Sequence, residues 1–542
     1  MSPTPVQTVL LLGGTYTLIA LLRRIFSRSA LDNIPGPPSA SFLLGNVLQY
    51  HNPDGWDFQQ DLEENYGAVV KLSGFLGSKM LYVFDTAALH SIVIKEHDIY
   101  EQAPIAIRMN QLMFGKGIFS TLGDDHRRLR KMMMPAFSTA NLRGMMGHFY
   151  GVAEALRDGL IAPQVVNGPR EVELASLLTR TSLELIGRSG IGYSFDPMVM
   201  DAPVNEYTES IKQLLPTLHK IPLLLPFVPL ASKFGPPSFR RFLLNAIPSP
   251  TLHRLRDMVD LMDNTAREIL QGKKIALQRG DLESKENMET GNDLMSIMLR
   301  NNMDADGTLQ LTDGELLAQT SAIIFAAMDT TSSALTRLVH LLAIHQDVQN
   351  KLRTEILNAT AGTEDGRLDH DAVVELPYLD AFIRETLRLY PPASPGMIRE
   401  TIAATTLPLS TPITGKDGST ITAIPVPKGT TVYIGIPAAN HRRDIWGEDA
   451  LEFKPERWAN GRAGREGEKM PGVYSGTMTF IGGGRSCVGF KFSQLEMKVV
   501  LCVLLSSFKF SESDKEIKYK MGSVTTSNVD GRLAMPLVVE RV

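Results

Sequence analysis

The pattern of apolar and polar positions predicts a chain that is mostly helical with a smaller β part. Residues 68–72 and 80–84 read as two strands around a glycine turn, and strand-like segments return in "STITAIPVP" and "TTVYIGI". Long helical patterns fill most of the chain between these two β regions. A polar stretch at residues 281–292 predicts an exposed loop.

The longest pattern predicts one helix over residues 311–345, which a capping box of Thr312 and Glu315 begins. Its centre, "DTTSS", is polar, although apolar segments lie on both sides. Such residues can hydrogen-bond the carbonyl four positions earlier on a solvent-facing side. The apolar segments favour burial instead, where polar groups without partners are costly. We therefore expect Asp329 and Thr330 to form a buried site that handles water.

The N-terminal segment differs from the rest of the chain. Residues 6–22 carry no charge, and Arg23, Arg24 and Arg28 follow directly. Seventeen helical residues span about 26 Å, enough for a thin bilayer. A cleaved signal peptide normally carries its charge before the apolar run, whereas here the charge comes after it, which favours a single-pass anchor with the following chain in the cytosol. The predicted domains are an anchor (1–30), a proline-rich hinge (31–39) and one large domain (40–542).

Charge and cysteine content exclude several classes of protein. The chain holds 55 basic and 59 acidic residues, a formal net charge of −4, so it does not read as a nucleic-acid binder. Its two cysteines cannot form a disulfide framework or, alone, a four-ligand zinc site. Cys502 lies in an apolar helical pattern and reads as core. Cys487 lies in the glycine-rich loop "FIGGGRSCVGF", just before a helical pattern.

This loop and three further motifs resemble the cytochrome P-450 family, over essentially the whole chain after the anchor. The family's haem-ligand pattern is Phe-x-x-Gly-x-Arg-x-Cys-x-Gly, and five residues stand at those spacings: Phe480, Gly483, Arg485, Cys487 and Gly489. The resemblance implies the cytochrome P-450 fold, haem b as cofactor and Cys487 as the axial thiolate ligand of its iron. Glycines that admit backbone N–H groups, and the positive end of a helix, suit a thiolate.

The resemblance assigns roles to the other residues of the loop and to a second motif. Arg485 would meet a haem propionate, Phe480 would pack beside the cysteine loop, and Gly489 would let the loop lie close to the porphyrin. Glu385 and Arg388 in "FIRETLRLYPP", with Arg457 in "FKPERW", would form a buried structural network behind the haem. The spacing of Glu385 and Arg388 alone is a weak signal, because exposed pairs of this kind are common.

Two further matches concern dioxygen and the propionates. "AAMDTT" matches the family's oxygen-activation motif, with Ala327 where the family usually has glycine. Thr330 would hydrogen-bond the oxygen being activated, and Asp329 would relay protons. His126, Arg130 and Arg399 fit positions that hold the propionates, although the family often has tryptophan at the position of His126.

The resemblance also implies the reaction. We expect a monooxygenase in the endoplasmic reticulum membrane that oxidises an apolar small molecule with O2 and electrons from NADPH-cytochrome P-450 reductase. The segments "DNIPGPPSASFLLGN" and "HRRLRKMMMPAFS" resemble basidiomycete members that act on terpenoids, which favours a lanosterol-type triterpenoid over a sesquiterpenoid or another apolar metabolite. A peroxide-rearranging haem-thiolate enzyme would have less use for Asp329 and Thr330. A non-catalytic haem- or lipid-binding membrane protein is the third interpretation.

Two surfaces have expected partners. Residues 220–237 are apolar but interrupted by prolines, which favours a second membrane contact over a long core helix, with a buried loop as the alternative. Arg127, Arg128 and Lys131 share a helix with Arg130 and would dock the acidic reductase, unless they form only a solvated basic face.

Overall fold

The computed structural model describes residues 29–542 except 204, 219, 222–223, 280–292, 306, 308, 394–396 and 460–469. The apolar run at residues 6–22 and the predicted loop at 281–292 lie outside the described residues. Within the described part of the chain, no helix combines the length and the apolar character needed to cross a membrane.

Helices dominate the described fold, as predicted. The helices of ten residues or more are α1 (Trp56–Asn65), α2 (Pro104–Phe114), α3 (Gly123–Met133), α4 (Met146–Ala155), α5 (Leu174–Leu185), α6 (Glu206–Leu218), α7 (Pro237–Ala246), α8 (Pro250–Gln278), α9 (Leu294–Met303), α10 (Asp313–Ile344), α11 (Gln346–Thr360), α12 (Pro377–Leu389) and α13 (Phe490–Leu505). Shorter helices lie at Val47–Tyr50, Thr86–His90, Thr139–Gly144, Val228–Ala231, His370–Glu375, Ile436–Asn440 and Arg443–Trp446.

The β part consists of small sheets at the edges of the helical body. The strands are β1 (Val69–Ser73), β2 (Lys79–Val83), β3 (Tyr100–Gln102), β4 (Arg170–Glu173), β5 (Met397–Thr401), β6 (Thr405–Thr414), β7 (Thr420–Val426), β8 (Thr431–Ile434), β9 (Phe508–Glu512), β10 (Lys518–Lys520), β11 (Thr526–Val529), β12 (Arg532–Leu533) and β13 (Pro536–Arg541). The largest sheet has the order β1-β2-β8-β5-β3, and within it only β2 and β8 run parallel. The strands predicted from the sequence are confirmed as β1, β2, β7 and β8.

Helix α10 is the longest helix of the described chain and is confirmed almost to the predicted residue. It begins after Thr312, whose side chain accepts a hydrogen bond from the Glu315 N–H, while the Glu315 carboxylate accepts one from the Thr312 N–H. The helix packs against α5 and α8 and meets α13. An apolar core lies among these helices, and a second core surrounds the five-stranded sheet.

The segment predicted as a hinge lies against β1. Leu31 and Ile34 are buried, and the Lys71 N–H of β1 donates to Pro35 O over 2.8 Å. A Cβ atom on Gly36 would lie 2.0 Å from Lys71 O, so the close approach requires glycine. These residues are therefore bound to the edge of the sheet and do not form a free spacer.

Candidate active site

The loop from Phe480 to Phe490 brings Cys487 to the start of α13. The Cys487 N–H donates to Phe480 O over 3.0 Å, which closes the loop. The Phe480 ring is partly buried and packs edge-on against Tyr474, with 5.5 Å between the ring centroids. The Cys487 side chain keeps accessible surface, yet protein surrounds it so closely that burial dominates its pKa. The thiol therefore faces a space inside the molecule and not the outer surface.

Electrostatics around the Cys487 sulfur act in both directions. Burial raises the pKa of the thiol to about 11, while the Gly489 N–H and the Arg130 guanidinium oppose that rise. Arg130 reaches the loop from α3 and donates to Ser486 O over 2.6 Å and to Ser486 Oγ over 2.8 Å. A metal cation on the sulfur would supply the missing stabilisation, because coordination deprotonates a thiol.

Two glycines allow the loop to take this shape. Gly483 has a φ of 70°, and a Cβ atom there would lie 1.8 Å from Val93 O. A Cβ atom on Gly482 would lie 1.5 Å from Pro471 O. At Gly489 a Cβ atom would make only an ordinary contact at 3.7 Å. The backbone of the loop therefore comes closest to neighbouring backbone at Gly482 and Gly483. The sequence interpretation did not single out Gly482, although it belongs to a run of three glycines.

Arg399 and Arg485 come together from distant parts of the chain. Arg399 lies on β5 with only 3% of its surface exposed. Arg485 Nη2 donates to Glu101 Oε2 over 3.2 Å and to Thr121 O over 2.9 Å, and its Nη1 is buried without a partner in the described chain. Burial and repulsion from Arg485 lower the pKa of Arg399 to about 10, with Glu101 acting in the opposite direction. Two guanidinium groups thus lie near one carboxylate, which hydrogen-bonds Arg485.

His126 joins this cluster from α3, one turn before Arg130. Burial lowers the pKa of His126 to about 3, and repulsion from Arg485, Arg130 and Arg399 adds to the effect. The imidazole is therefore neutral at pH 7 and keeps one N–H to donate. Three guanidinium groups, one of which has the unpaired Nη1 of Arg485, and an imidazole N–H together fit a ligand with two carboxylates beside Cys487, as haem has. The residues present thus fit the cofactor that the resemblance implies.

The polar side chains at the centre of α10 differ in burial and in their hydrogen-bond partners. Thr331 and Ser332 are buried, and their hydroxyls bond Glu496 and Thr179. The Thr330 hydroxyl donates to Ala326 O over 2.7 Å, which is the back-bonding that the sequence allowed as an alternative.

Asp329 has no such partner: in the described chain nothing hydrogen-bonds or ion-pairs its carboxylate. Burial raises the pKa of Asp329 to about 6, with Lys212 acting in the opposite direction. Asp329 can therefore exchange a proton near neutral pH.

Lys212 is a site residue that the sequence interpretation missed. It lies on α6 in "TESIKQLL" and is partly accessible. Burial lowers the pKa of Lys212, and Asp329 is the carboxylate that opposes this most. An isolated lysine in an amphipathic helical pattern gives no local signal of this. Its interaction with Asp329 joins two residues that are more than a hundred positions apart along the chain.

Glu385, Arg388 and Arg457 form one buried network. Arg388 and Glu385 are both fully buried and make a two-bond ion pair at 2.8 and 2.9 Å. Arg457 Nε donates to Glu385 Oε1 over 3.3 Å, and Trp458 Nε1 donates to Glu385 Oε2 over 2.9 Å. Every oxygen of the buried carboxylate is therefore bonded, as a buried charge requires.

This network reaches the cysteine loop through Asn440. Arg388 Nη1 donates to Asn440 O over 3.0 Å, and the Asn440 side chain accepts from the Met478 N–H over 2.7 Å and donates to Thr479 Oγ1 over 2.9 Å. Met478 and Thr479 directly precede Phe480. The geometry thus links the network to the loop that carries Cys487.

Comparison with known proteins shows which family this architecture belongs to. A family model described as cytochrome P450 matches residues 35–533. The chain is 47% identical to cytochrome P450 monooxygenase 91 of Postia placenta, over 98% of each chain. It is 40% identical to a ganoderic acid synthetase of Ganoderma lucidum, over 100% of this chain and 99% of that protein. The chain belongs to the cytochrome P450 family.

As a cytochrome P450, the protein is a monooxygenase, an oxidoreductase whose haem iron has a cysteine thiolate as axial ligand. Enzymes of this family act on a small molecule with O2 and draw electrons from a redox partner. Of the two cysteines in the chain, Cys502 is buried inside α13. Only Cys487 has accessible sulfur next to a cluster of cations.

The face of this cytochrome P450 that was predicted to dock a reductase is less basic than its sequence indicates. Arg128 ion-pairs with Glu315 at the start of α10 and donates to Gln310 O over 3.2 Å, so its charge serves helix packing. Arg127 is exposed and pairs with Asp124 one turn earlier. Lys131 is exposed. The docking face stays a prediction, and Arg127 and Lys131 are its exposed members.

Proposed function

We propose that this cytochrome P450 hydroxylates a terpenoid in the endoplasmic reticulum membrane, with electrons from NADPH-cytochrome P-450 reductase. The preferred substrate is a lanosterol-type triterpenoid, ahead of a sesquiterpenoid. The printed name of the Ganoderma lucidum relative, a ganoderic acid synthetase, supports this choice. The cation cluster beside Cys487, with its unpaired buried donor, is the observation that carries the haem-dependent reaction.

Each residue of the cluster has a role in holding the cofactor. Cys487 would ligate the haem iron, and Arg399 and Arg485 would bind the haem carboxylates, which would complete the hydrogen bonding of the Arg485 guanidinium. His126 adds a neutral N–H donor. Arg130 positions the ligand loop through Ser486, and its charge favours the thiolate. When bound, haem supplies the activation of O2 and the insertion of one oxygen atom into the substrate.

Asp329 and Thr330 handle protons at the centre of α10. With a pKa of about 6, Asp329 can take a proton from solvent and release it inside the site near neutral pH. The Thr330 hydroxyl donates to Ala326 O, so its oxygen lone pairs are free to accept a hydrogen bond from water that enters the site. Lys212 favours the ionised form of Asp329 and so opposes the rise that burial causes in the pKa of Asp329.

Membrane attachment is the second part of the proposal. Residues 1–30 anchor the chain, and exposed apolar side chains near the predicted second contact would lie against the same bilayer. These side chains include Leu224, Phe227, Leu230, Phe234, Phe239 and Phe242. Large exposed apolar side chains concentrated in residues 224–242 favour contact with a membrane or a partner.

The proposal is tested by product analysis. Microsomes that contain the full chain and a reductase are supplied with a lanosterol-type triterpenoid or a sesquiterpene and analysed by mass spectrometry. We expect a product with one added oxygen atom that requires both NADPH and O2, and no such product with the Cys487→Ala variant. Absence of oxidation with every terpenoid, while other apolar probes are oxidised, would contradict the assigned substrate class.

A further inference from the structure

Arg337 is a cation of α10 that lies mostly within the protein, outside the cofactor site. Its guanidinium lies 3.0 Å from the centroid of the Tyr519 ring and 4.2 Å from that of the Tyr390 ring. Tyr390 directly follows the last residue of α12, and Tyr519 lies on β10. The two rings cover the faces of the guanidinium and stabilise its charge through cation–π contacts.

No acid in the described chain compensates this charge. No carboxylate of the described chain ion-pairs with Arg337, and no acceptor there receives a hydrogen bond from the guanidinium. Burial lowers the pKa of Arg337, and Tyr519 and Tyr390 oppose that effect. His340, whose Nδ1 lies 2.9 Å from the Tyr519 hydroxyl, is neutral at pH 7 because burial lowers its pKa to about 4. Burial likewise raises the pKa of Tyr519 to about 12. A buried charge without a counter-ion is strongly destabilising, so this arrangement calls for an acceptor.

The Arg337 side chain remains partly accessible, although burial is the leading influence on its pKa. The five N–H donors of arginine point outward in the plane of the group and match a carboxylate in a two-bond fork. A partly accessible guanidinium therefore has the shape and charge of a carboxylate receptor.

Arg337 also lies in line with the proton-handling residues. It follows Thr330 by seven residues, which on a helix corresponds to a rise of about 10.5 Å and a rotation of only about 20°, so both side chains leave the same face of α10. Ser333, between them, donates to Thr525 O over 2.6 Å, and the Thr525 N–H donates to Pro392 O over 2.9 Å. These bonds fix the loop before β11 and the segment after α12 around this face.

We propose that Arg337 binds the carboxylate of an apolar acid, and that the site of oxidation lies about 10 Å from that carboxylate, the separation of Arg337 and Thr330 along α10. This inference rests on the proposed oxidation of an apolar small molecule and adds the charged group by which that molecule is oriented. Arginine suits the task because its planar fork binds a carboxylate with two parallel hydrogen bonds.

The test compares an acid with the matching alcohol. The haem-loaded full chain is titrated with dodecanoate and with dodecan-1-ol, and binding is followed by the haem absorbance change. Arg337→Met should weaken dodecanoate binding about tenfold or more, as loss of a charged hydrogen-bond partner does, and leave dodecan-1-ol binding unchanged. Arg337→Lys should bind dodecanoate with intermediate affinity. Arg367→Met is the matched control, because Arg367 also lies over a tyrosine ring but has Glu154 as partner.

Three results would overturn the carboxylate site. One is equal affinity of the wild type and Arg337→Met for dodecanoate; another is a parallel loss for acid and alcohol, as a purely packing role predicts. The third is a wild type that binds the alcohol but not the acid, which would assign only ordered water to the edge of Arg337. If Arg337→Met fails to retain haem, the Arg337→Lys comparison decides the same question. Absence of NADPH-driven oxidation of either probe would contradict the proposed function separately.

Discussion

Replacing Asp329 with asparagine should stabilise the folded protein above pH 6 while impairing its reaction. The wild-type carboxyl group has its pKa raised from 3.8 to about 6, chiefly by burial. Because the folded pKa lies above the unfolded one, the folded state loses stability as the pH rises from about 4 to about 6, and the loss is constant at higher pH. Two pKa units correspond to roughly 3 kcal/mol. Asparagine has the same shape and no ionisation, so it avoids this loss.

The assay is the unfolding of the wild type and Asp329→Asn at pH 4.5 and pH 8, followed by circular dichroism. The difference in unfolding free energy between the two proteins should be about 2 kcal/mol larger at pH 8 than at pH 4.5. Asp514→Asn, at an exposed position, is the control and should show no such pH dependence. Lys212→Met should enlarge the pH-dependent advantage of Asp329→Asn, because it removes the cation that lowers the pKa of Asp329. An Asp329→Asn advantage that does not change with pH would refute the buried, proton-exchanging carboxyl group.

Three further predictions concern the site and its surfaces. Thr330→Ala should leave haem content unchanged but divert severalfold more NADPH into hydrogen peroxide, with partial recovery in Thr330→Ser; unchanged coupling would contradict the role of the hydroxyl. In a chain without residues 1–30, Leu224→Glu with Phe227→Glu should abolish most of the remaining vesicle binding, and a truncated chain that is already fully soluble without detergent would exclude the second membrane contact. Arg127→Glu with Lys131→Glu should slow reductase-driven turnover and weaken its dependence on salt while sparing peroxide-driven turnover; an equal fall in both routes would contradict docking there.

The sequence predicted features whose signals are local. Helix α10, its capping box and the strands β1 and β2 follow from periodicity and from residues a few positions apart. The glycine-rich pattern around Cys487 is equally local, because the loop must close on itself before α13 begins. Such features depend on short-range sterics and hydrogen bonding, which neighbouring residues determine.

Features that depend on distant contacts were missed or misjudged. Arg128 reads as a surface cation until α3 meets the start of α10, where Glu315 neutralises it. Lys212 gains its role only because α6 lies near Asp329. The segment around Gly36 reads as a spacer but binds the backbone of Lys71 on β1. None of these contacts leaves a periodicity or a motif in the sequence, so only the packed structure reveals them.

The central claim, that Cys487 provides the thiolate ligand of a haem iron, is tested most directly by the absorbance of the reduced, carbon monoxide-bound protein. Wild type and Cys502→Ala should both show the thiolate-type Soret band, because Cys502 lies buried in α13 away from the cation cluster. Cys487→Ala should lose that band, and Cys487→His should shift it to the position typical of nitrogen ligation if the haem is retained. A thiolate-type band that persists in Cys487→Ala, or that disappears in Cys502→Ala while Cys487 is intact, would contradict the account.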